Sequence, residues 1–108
     1  MLTNPLISII TVNLNNLVGL KKTVNSVIEQ KFTSYEFLVI DGESLDGSKE
    51  YLEEQKHRIN LVVSEPDAGI YNARNKGIYA SKGNYCLFLN SGDWLVDIPS
   101  TPLKLPTI

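Results

Sequence analysis

Three acidic residues of this chain, Asp41, Asp67 and Asp93, each lie shortly after an apolar run. A buried strand that ends in polar residues is typical of a parallel sheet, and ligands of open α/β proteins bind at the carboxyl ends of such strands. Carboxylates brought together there repel one another unless a cation or ligand N–H groups intervene. Because hard divalent cations prefer oxygen ligands, the pattern predicts a site for Mn²⁺ or Mg²⁺ and a phosphate-bearing ligand.

Two amides and one guanidinium are further candidates for this site. Asn13 and Asn90 also follow apolar runs, and the amide of Asn90 could bind a ribose hydroxyl. Arg74 is well suited to a pyrophosphate, because its planar guanidinium donates two parallel hydrogen bonds to phosphate oxygens. Each candidate also has a structural alternative: a turn or a helix cap for the acids, a turn for Asn90, and a surface ion pair for Arg74.

The elements that must position these residues alternate between strands and helices. Short apolar runs predict strands and helical spacing predicts helices. The predicted strands cover residues 6–12, 37–40, 61–63 and 85–89, and the predicted helices cover residues 17–28, 49–56 and 70–80. This order, with connections long enough for parallel crossovers, predicts an α/β fold with a doubly wound, mainly parallel sheet.

Polar residues before the first two helices predict where these helices begin. Asn15 or Asn16 is the expected cap of the first helix, and Ser44 or Asp46 that of the second. Asp46 is therefore interpreted as a cap rather than a site residue. The third helix is expected to direct four residues inward: Ile70, Ala73, Gly77 and Ile78.

Composition places the chain among globular proteins and excludes several function classes. Its 108 residues suit one domain. A net charge of −2 provides no overall attraction to nucleic acid, so no nucleic-acid partner is expected. Cys86 is the single cysteine, which excludes an intrachain disulfide, and its place in an apolar strand predicts a buried core residue.

The sequence pattern predicts neither a membrane-spanning segment nor a secretory signal. No apolar run approaches the roughly 20 residues that cross a bilayer, and no cationic segment precedes an apolar one at the N-terminus. We therefore expect a cytoplasmic protein, with the inner face of the membrane as an alternative location.

Two glycine-rich motifs that bind phosphates are missing from the sequence. No G-x-G-x-x-G follows the first predicted strand, and no G-x-x-x-x-G-K-[ST] occurs anywhere. The sequence therefore gives little support to the hypothesis of a dinucleotide-dependent oxidoreductase.

Four segments of the chain carry a specific resemblance to a known family. They are residues 7–13, 39–48, 67–78 and 87–93. In this order, over about residues 6–95, they resemble the family 2 glycosyltransferases of GT-A fold. Members of that family transfer a sugar from a nucleotide-sugar donor to an acceptor, commonly with inversion at the anomeric carbon, and many build cell-surface polysaccharides.

The resemblance implies roles for the candidate residues. It implies that Thr11 and Asn13 line the nucleoside pocket and that Asp41 accepts a hydrogen bond from the base, often uracil. It places Asp67 and Arg74 near the base and the diphosphate. The implied donor is a UDP-type nucleotide sugar, and the implied acceptor is a carbohydrate or a lipid-linked molecule.

The segment 90–93 matches the metal-binding D-x-D region of the family, with Asp93 as the implied ligand of Mn²⁺ or Mg²⁺. Asn90 stands where many members carry an acid, so fewer protein carboxylates and a weaker affinity for the cation are expected. In the family, the acceptor-binding half and its general base lie beyond this region. We therefore expect residues 1–95 to form a nucleotide-sugar-binding half-domain, residues 96–108 a Pro-rich extended tail, and the general base to lie beyond Ile108.

Two other functions stay open on the sequence. A non-catalytic module that binds a nucleotide or a protein partner is favoured by the missing general base. A phosphoryl-transfer domain would also use acids at strand ends with Mg²⁺. In each case a half-domain leaves an unpaired sheet edge, so a homo-oligomer is also expected.

Overall fold

The computed structural model describes residues 4–95, which form four strands and three α-helices. These are β1 (Ile7–Asn13), α1 (Leu17–Ile28), β2 (Tyr35–Asp41), α2 (Ser48–Gln55), β3 (Leu61–Ser64), α3 (Ile70–Ala80) and β4 (Tyr85–Asn90). All strand pairs are parallel, in the order β3-β2-β1-β4. The predicted α/β fold with a mainly parallel sheet is confirmed. The predicted tail, residues 96–108, lies outside the described residues.

Helices cover both faces of the sheet. All seven residues of β1 are buried, as expected for a central strand that is covered on both sides. One face packs against α1 and α2 through Leu20, Val24, Val27 and Leu52 of the helices and Ile9, Phe37, Val39 and Leu89 of the strands. The other face packs against Ala73 of α3 through Ile10, Val12, Leu38 and Ile40. None of the helices within residues 4–95 is long and apolar enough to span a membrane.

Small residues bring α3 close to the sheet. A Cβ atom at Gly77 would lie 2.5 Å from Cγ2 of Ile10, a distance that real side chains do not tolerate. Ala73 is also buried, whereas Ile70 and Ile78 are 44% and 45% exposed. The prediction that these two isoleucines point inward is therefore wrong, because the close contact is made by the small residues and the isoleucines flank it.

Strand β4 lies at one edge of the described sheet. It pairs with β1 on one side, and no other strand within residues 4–95 pairs with it. Tyr85 is 49% exposed and Cys86 is exposed as well. The prediction that Cys86 is buried is wrong, because its strand has a partner on only one side.

The register brings the polar strand ends to one level. Asn13 lies opposite Asp41, Asp41 lies opposite Ser64, and Val12 lies opposite Asn90. The carboxyl ends of all four strands therefore form one polar edge.

Candidate functional site

A cleft of about 330 Å³ opens at this edge, between β1, β4 and the beginning of α3. Its lining consists of Val12, Asn13, Leu14, Asn16, Asp67, Gly69, Ile70, Ala73, Asn90 and Ser91. Since β2 and β4 lie on opposite sides of β1, the chain changes direction across the sheet at this point, which is where open α/β sheets bind ligands. The volume is in the range of small-molecule sites.

Three of the predicted site residues line this cleft: Asn13, Asp67 and Asn90. They come from the ends of β1 and β4 and from the loop before α3. Gly69 and Ile70 place the first turn of α3 in the wall, and the free N–H groups of a helix N-terminus favour an anionic ligand. The cleft therefore combines amide groups, one carboxylate and an anion-favouring helix end.

Asp41 lies beneath the edge and is fully buried. Its Oδ1 accepts hydrogen bonds from Nδ2 of Asn13 at 2.8 Å and Oγ of Ser44 at 2.6 Å. Its Oδ2 accepts hydrogen bonds from the backbone N–H of Ser44 at 2.9 Å and Oγ of Ser64 at 2.8 Å. The four donors occupy the acceptor sites of this carboxylate.

The hydrogen bonds also set the charge of Asp41. Burial by itself raises the pKa of this carboxyl group, but the hydrogen bonds from Ser44, Asn13 and Ser64 outweigh it and hold the pKa below its ordinary value. A base could bind Asp41 only by displacing one of these donors. The role of Asp41 as a base ligand stays a prediction, and its evident structural role is to join the ends of β1, β2 and β3.

Asn13 connects the same network to β4. It is 5% exposed, and its Oδ1 accepts a hydrogen bond of 2.6 Å from Oγ of Ser91. The amide of Asn13 is thereby oriented between Asp41 on one side and Ser91 on the other.

Thr11 and Arg74 do not line the cleft. Thr11 is fully buried within β1, and its Oγ1 has no hydrogen-bond partner among residues 4–95. The guanidinium carbon of Arg74 lies 5.3 Å from the centre of the Phe88 ring, and Nε is buried without a hydrogen-bond partner in the described part of the chain. Arg74 follows Ala73 of the cleft wall and covers β4 two residues before Asn90. The roles of both residues stay predictions.

Asp93 closes a tight turn at the end of β4. Its Oδ2 accepts a hydrogen bond of 2.9 Å from the backbone N–H of Asn90, and its own N–H donates to the carbonyl of Asn90 at 2.9 Å. The residue is exposed and does not line the cleft. Within residues 4–95 no donor bonds the other carboxylate oxygen, and the neighbouring Asn90 and Ser91 line the cleft.

The donor set fits a cation that is held largely by its ligand. No group of three or more His, Cys, Asp or Glu side chains within residues 4–95 is arranged to hold a metal ion. Asp93 presents one exposed carboxylate at the turn, and phosphate oxygens would have to complete the coordination of a hard cation. The weaker affinity for the cation stays a prediction.

Thr23 of α1 and Asn16, the cap of that helix, hold the turn 90–93 in place, a role that the sequence does not indicate for either residue. Oγ1 of Thr23 donates to the carbonyl of Asp93 at 2.7 Å and accepts from the N–H of Gly92 at 3.0 Å. Nδ2 of Asn16 donates to the carbonyl of Ser91 at 3.1 Å. These contacts join residues far apart in sequence, so no local pattern indicates them.

Asp46 joins the beginnings of two helices. Its Oδ1 accepts hydrogen bonds from N–H and Oγ of Ser48 at the start of α2, and its Oδ2 accepts one of 2.8 Å from the N–H of Leu17 at the start of α1. The side-chain hydrogen bond from Ser48 is the main cause of its lowered pKa. Asn16 caps α1 by accepting from the N–H of Gly19 at 3.1 Å.

The prediction that Ser44 or Asp46 caps α2 is wrong in position, because Gly47 stands at the cap and has no capping side chain. Asp46, one residue earlier, instead accepts hydrogen bonds from Ser48, the first residue of the helix.

The fold and the cleft define an α/β protein with a small-molecule site at the switch point of a parallel sheet. The sequence model of "Glycosyl transferase family 2" matches residues 8–97. The chain belongs to this family, and the predicted resemblance is confirmed.

Similar proteins of known sequence or structure agree with this assignment. An uncharacterized glycosyltransferase of Mycobacterium tuberculosis (strain H37Rv) is 40% identical over 94 residues, which cover 86% of this chain and 36% of that protein. The Escherichia coli UDP-Glc:alpha-D-GlcNAc-diphosphoundecaprenol beta-1,3-glucosyltransferase WfgD is 32% identical over 94 residues, covering 85% of this chain and 37% of that protein. The chain therefore spans little more than a third of the length of either relative.

Among solved structures, TarS of S. aureus in complex with UDP-GlcNAc matches with a TM-score of 0.75 and 26% identity, over 82% of this chain and 27% of that chain. The GT-A architecture predicted from the sequence is thereby confirmed.

Proposed function

We propose that this chain is the nucleotide-sugar-binding part of a glycosyltransferase that transfers a sugar to a carbohydrate or lipid-linked acceptor in polysaccharide synthesis. The observation that carries the proposal is the convergence of Asn13, Asp67 and Asn90 with the start of α3 on one cleft. In a member of family 2, this cleft is the natural place for the donor.

The donor in this proposal is a nucleoside diphosphate sugar, most simply of the UDP type. The complex of TarS with UDP-GlcNAc supports this choice. The nucleoside would lie along Asn13 and Asp67, with Thr11 and Asp41 supporting the floor beneath it. The diphosphate would lie toward the N-terminal end of α3 and Arg74, whose guanidinium suits phosphate oxygens.

Asp93 would hold a divalent cation, Mn²⁺ or Mg²⁺, at the end of β4, and Asn90 would stand beside the ribose or the diphosphate. When bound, such a cation neutralises the negative charge that develops on the leaving nucleoside diphosphate. The chain's own contribution is to hold the Asp93 carboxylate in a turn that Thr23 and Asn16 tie to α1.

In the proposed reaction, an acceptor hydroxyl attacks the anomeric carbon and the nucleoside diphosphate leaves, with inversion. The proposal assigns donor binding to the site residues named above and assigns the role of general base to none of them. WfgD, whose name gives a diphosphoundecaprenol-linked acceptor, supports the choice of a lipid-linked acceptor. A cytoplasmic location, at the inner face of the membrane, completes the proposal.

Titration calorimetry of the chain with UDP, in the presence and absence of Mn²⁺, tests the donor site. We expect binding that depends on the metal, and loss of that dependence in Asp93→Ala. The control is Glu43→Gln, which also removes one negative charge from an exposed residue near the sheet edge, but after β2 instead of in the turn after β4. Absence of binding to every nucleoside diphosphate would contradict the proposal. Sugar transfer by this chain in a radiolabelled-donor assay would eliminate the alternative of a non-catalytic nucleotide-binding module.

A further inference from the structure

A second cleft, of about 380 Å³, lies on the exposed side of α1, and we call it the α1 cleft. One of its walls is formed by α1 and the residues that directly follow this helix, and the other by Trp94 and Leu95. None of its lining residues lines the cleft at the sheet edge. The two clefts are therefore separate, and Trp94 follows directly after the turn 90–93.

The backbone on both sides of Trp94 is bound to α1. Oγ1 of Thr23 donates to the carbonyl of Asp93 at 2.7 Å. Oγ of Ser26, one turn further along the helix, accepts a hydrogen bond of 3.0 Å from the N–H of Leu95. These two contacts fix the position of Trp94 relative to the α1 cleft. A surface that is ordered in advance loses less entropy when a ligand binds.

Trp94 offers an apolar ring to the α1 cleft. The Nζ atom of Lys22 lies 5.2 Å from the centre of the ring, and the attraction between the ammonium group and the ring holds the indole against the helix. With Lys22 in this place, Trp94 is still 67% exposed. Tryptophan supplies a large contact surface at a low cost in entropy, because only two side-chain torsions must be ordered. The indole is therefore available to the apolar face of a ligand.

Two polar side chains of the α1 cleft have no partner in the described part of the chain. Asn25 and Glu29 are exposed and lie four residues apart, which places them on the same face of the helix. No hydrogen bond or ion pair within residues 4–95 involves either side chain. The charges of Lys22 and Glu29 offset each other, so the α1 cleft has no net charge to attract an anion or a cation.

We propose that the α1 cleft binds a neutral saccharide, with one sugar ring against Trp94 and its hydroxyl groups on Asn25 and Glu29. The C–H face of a sugar ring is apolar and suits the indole. Sugar hydroxyl groups can donate to the carboxylate and can both donate to and accept from the amide. This inference goes beyond the proposed function, because it adds a saccharide site that is separate from the donor cleft.

The fluorescence of Trp94 tests the inference, because this residue is the only tryptophan of the chain. The chain is titrated separately with maltotriose, cellotriose and chitotriose, which are neutral trisaccharides. With at least one of them we expect a saturable blue shift and weaker quenching by acrylamide, since a sugar ring covers the indole, with a dissociation constant on the order of 1 mM. Asn25→Ala and Glu29→Gln are each expected to raise this constant about five-fold, the size of one hydrogen bond.

Matched control variants lie on the other two helices. Asn75→Ala on α3 and Glu54→Gln on α2 make the same changes at exposed positions outside the α1 cleft, and they are expected to keep the wild-type constant. The inference is overturned if no trisaccharide gives a saturable change at about ten-fold the expected constant, or if Asn25→Ala and Glu29→Gln leave the constant unchanged.

Calorimetry with UDP and Mn²⁺ separates this inference from the proposed function. Both variants of the α1 cleft are expected to bind UDP as the wild-type chain does, because the two clefts share no lining residue. A chain that binds UDP but no trisaccharide removes the inference and leaves the proposed function standing. A chain that binds a trisaccharide but no nucleoside diphosphate supports the inference and contradicts the proposed function.

Discussion

Replacing Asp41 by asparagine is expected to destabilise the protein by about 3 kcal/mol. The substitution keeps the size of the side chain but puts an NH₂ group where one oxygen accepted two hydrogen bonds. If Oδ2 is replaced, the new group faces the N–H of Ser44, and if Oδ1 is replaced, it faces Nδ2 of Asn13. In either orientation, a buried donor loses its acceptor.

The magnitude follows from the four hydrogen bonds and the burial of this carboxylate. Each hydrogen bond to a charged group contributes about 1.5–3 kcal/mol, and an unsatisfied buried donor costs about 1–3 kcal/mol. Asparagine retains some of the bonds, so the net loss is placed at about 3 kcal/mol, a large part of the roughly 5–15 kcal/mol that stabilises a typical domain. Asp67→Asn removes the charge from a half-buried residue with one protein hydrogen bond, and about 0.5 kcal/mol is expected there.

Urea unfolding followed by far-UV circular dichroism measures the loss in free energy of unfolding for both variants. The pH dependence provides a second check. Since the folded pKa of Asp41 lies below its ordinary value, its stabilising effect is complete above the unfolded pKa of about 3.9 and is lost as the pH falls through the folded pKa. The difference between wild type and Asp41→Asn should therefore shrink below about pH 4. Equal losses for Asp41→Asn and Asp67→Asn at pH 7 would refute the reasoning.

Two further predictions concern the helix starts and the sheet edge. Asp46→Asn is expected to lower the melting temperature at pH 7 by less than Asp41→Asn does, because Asp46 is exposed. Since the folded pKa of Asp46 is also below its ordinary value, this loss should diminish below about pH 4. A loss that is independent of pH would contradict the role of the charge. At tens of micromolar, roughly where weak dimers form, the chain is expected to self-associate through the edge of β4, where Tyr85 and Cys86 are exposed. Light scattering that shows a clean monomer at this concentration would refute it.

Much of the fold could be predicted from the sequence because its signals are local. Continuous apolar runs predict strands covered on both faces, and all of β1 is buried. The predicted bounds of α3, residues 70–80, agree with Ile70–Ala80 in the structure. The environment of Cys86 could not be predicted this way, because the same apolar run is compatible with a central strand or an edge strand.

Local patterns in the chain are enough to predict the βα order, the family and the polar edge at which its acids gather. The environment of each acid at that edge depends on contacts that form only in the folded protein. Asp41 and Asp67 both follow apolar runs. Ser44, Asn13 and Ser64 donate hydrogen bonds to both oxygens of Asp41, whereas within residues 4–95 only Oδ1 of Asp67 accepts one, from Gly69. The physical reason is that hydrogen bonds and steric contacts between distant segments orient these side chains, and hydrophobic periodicity carries no information about such contacts.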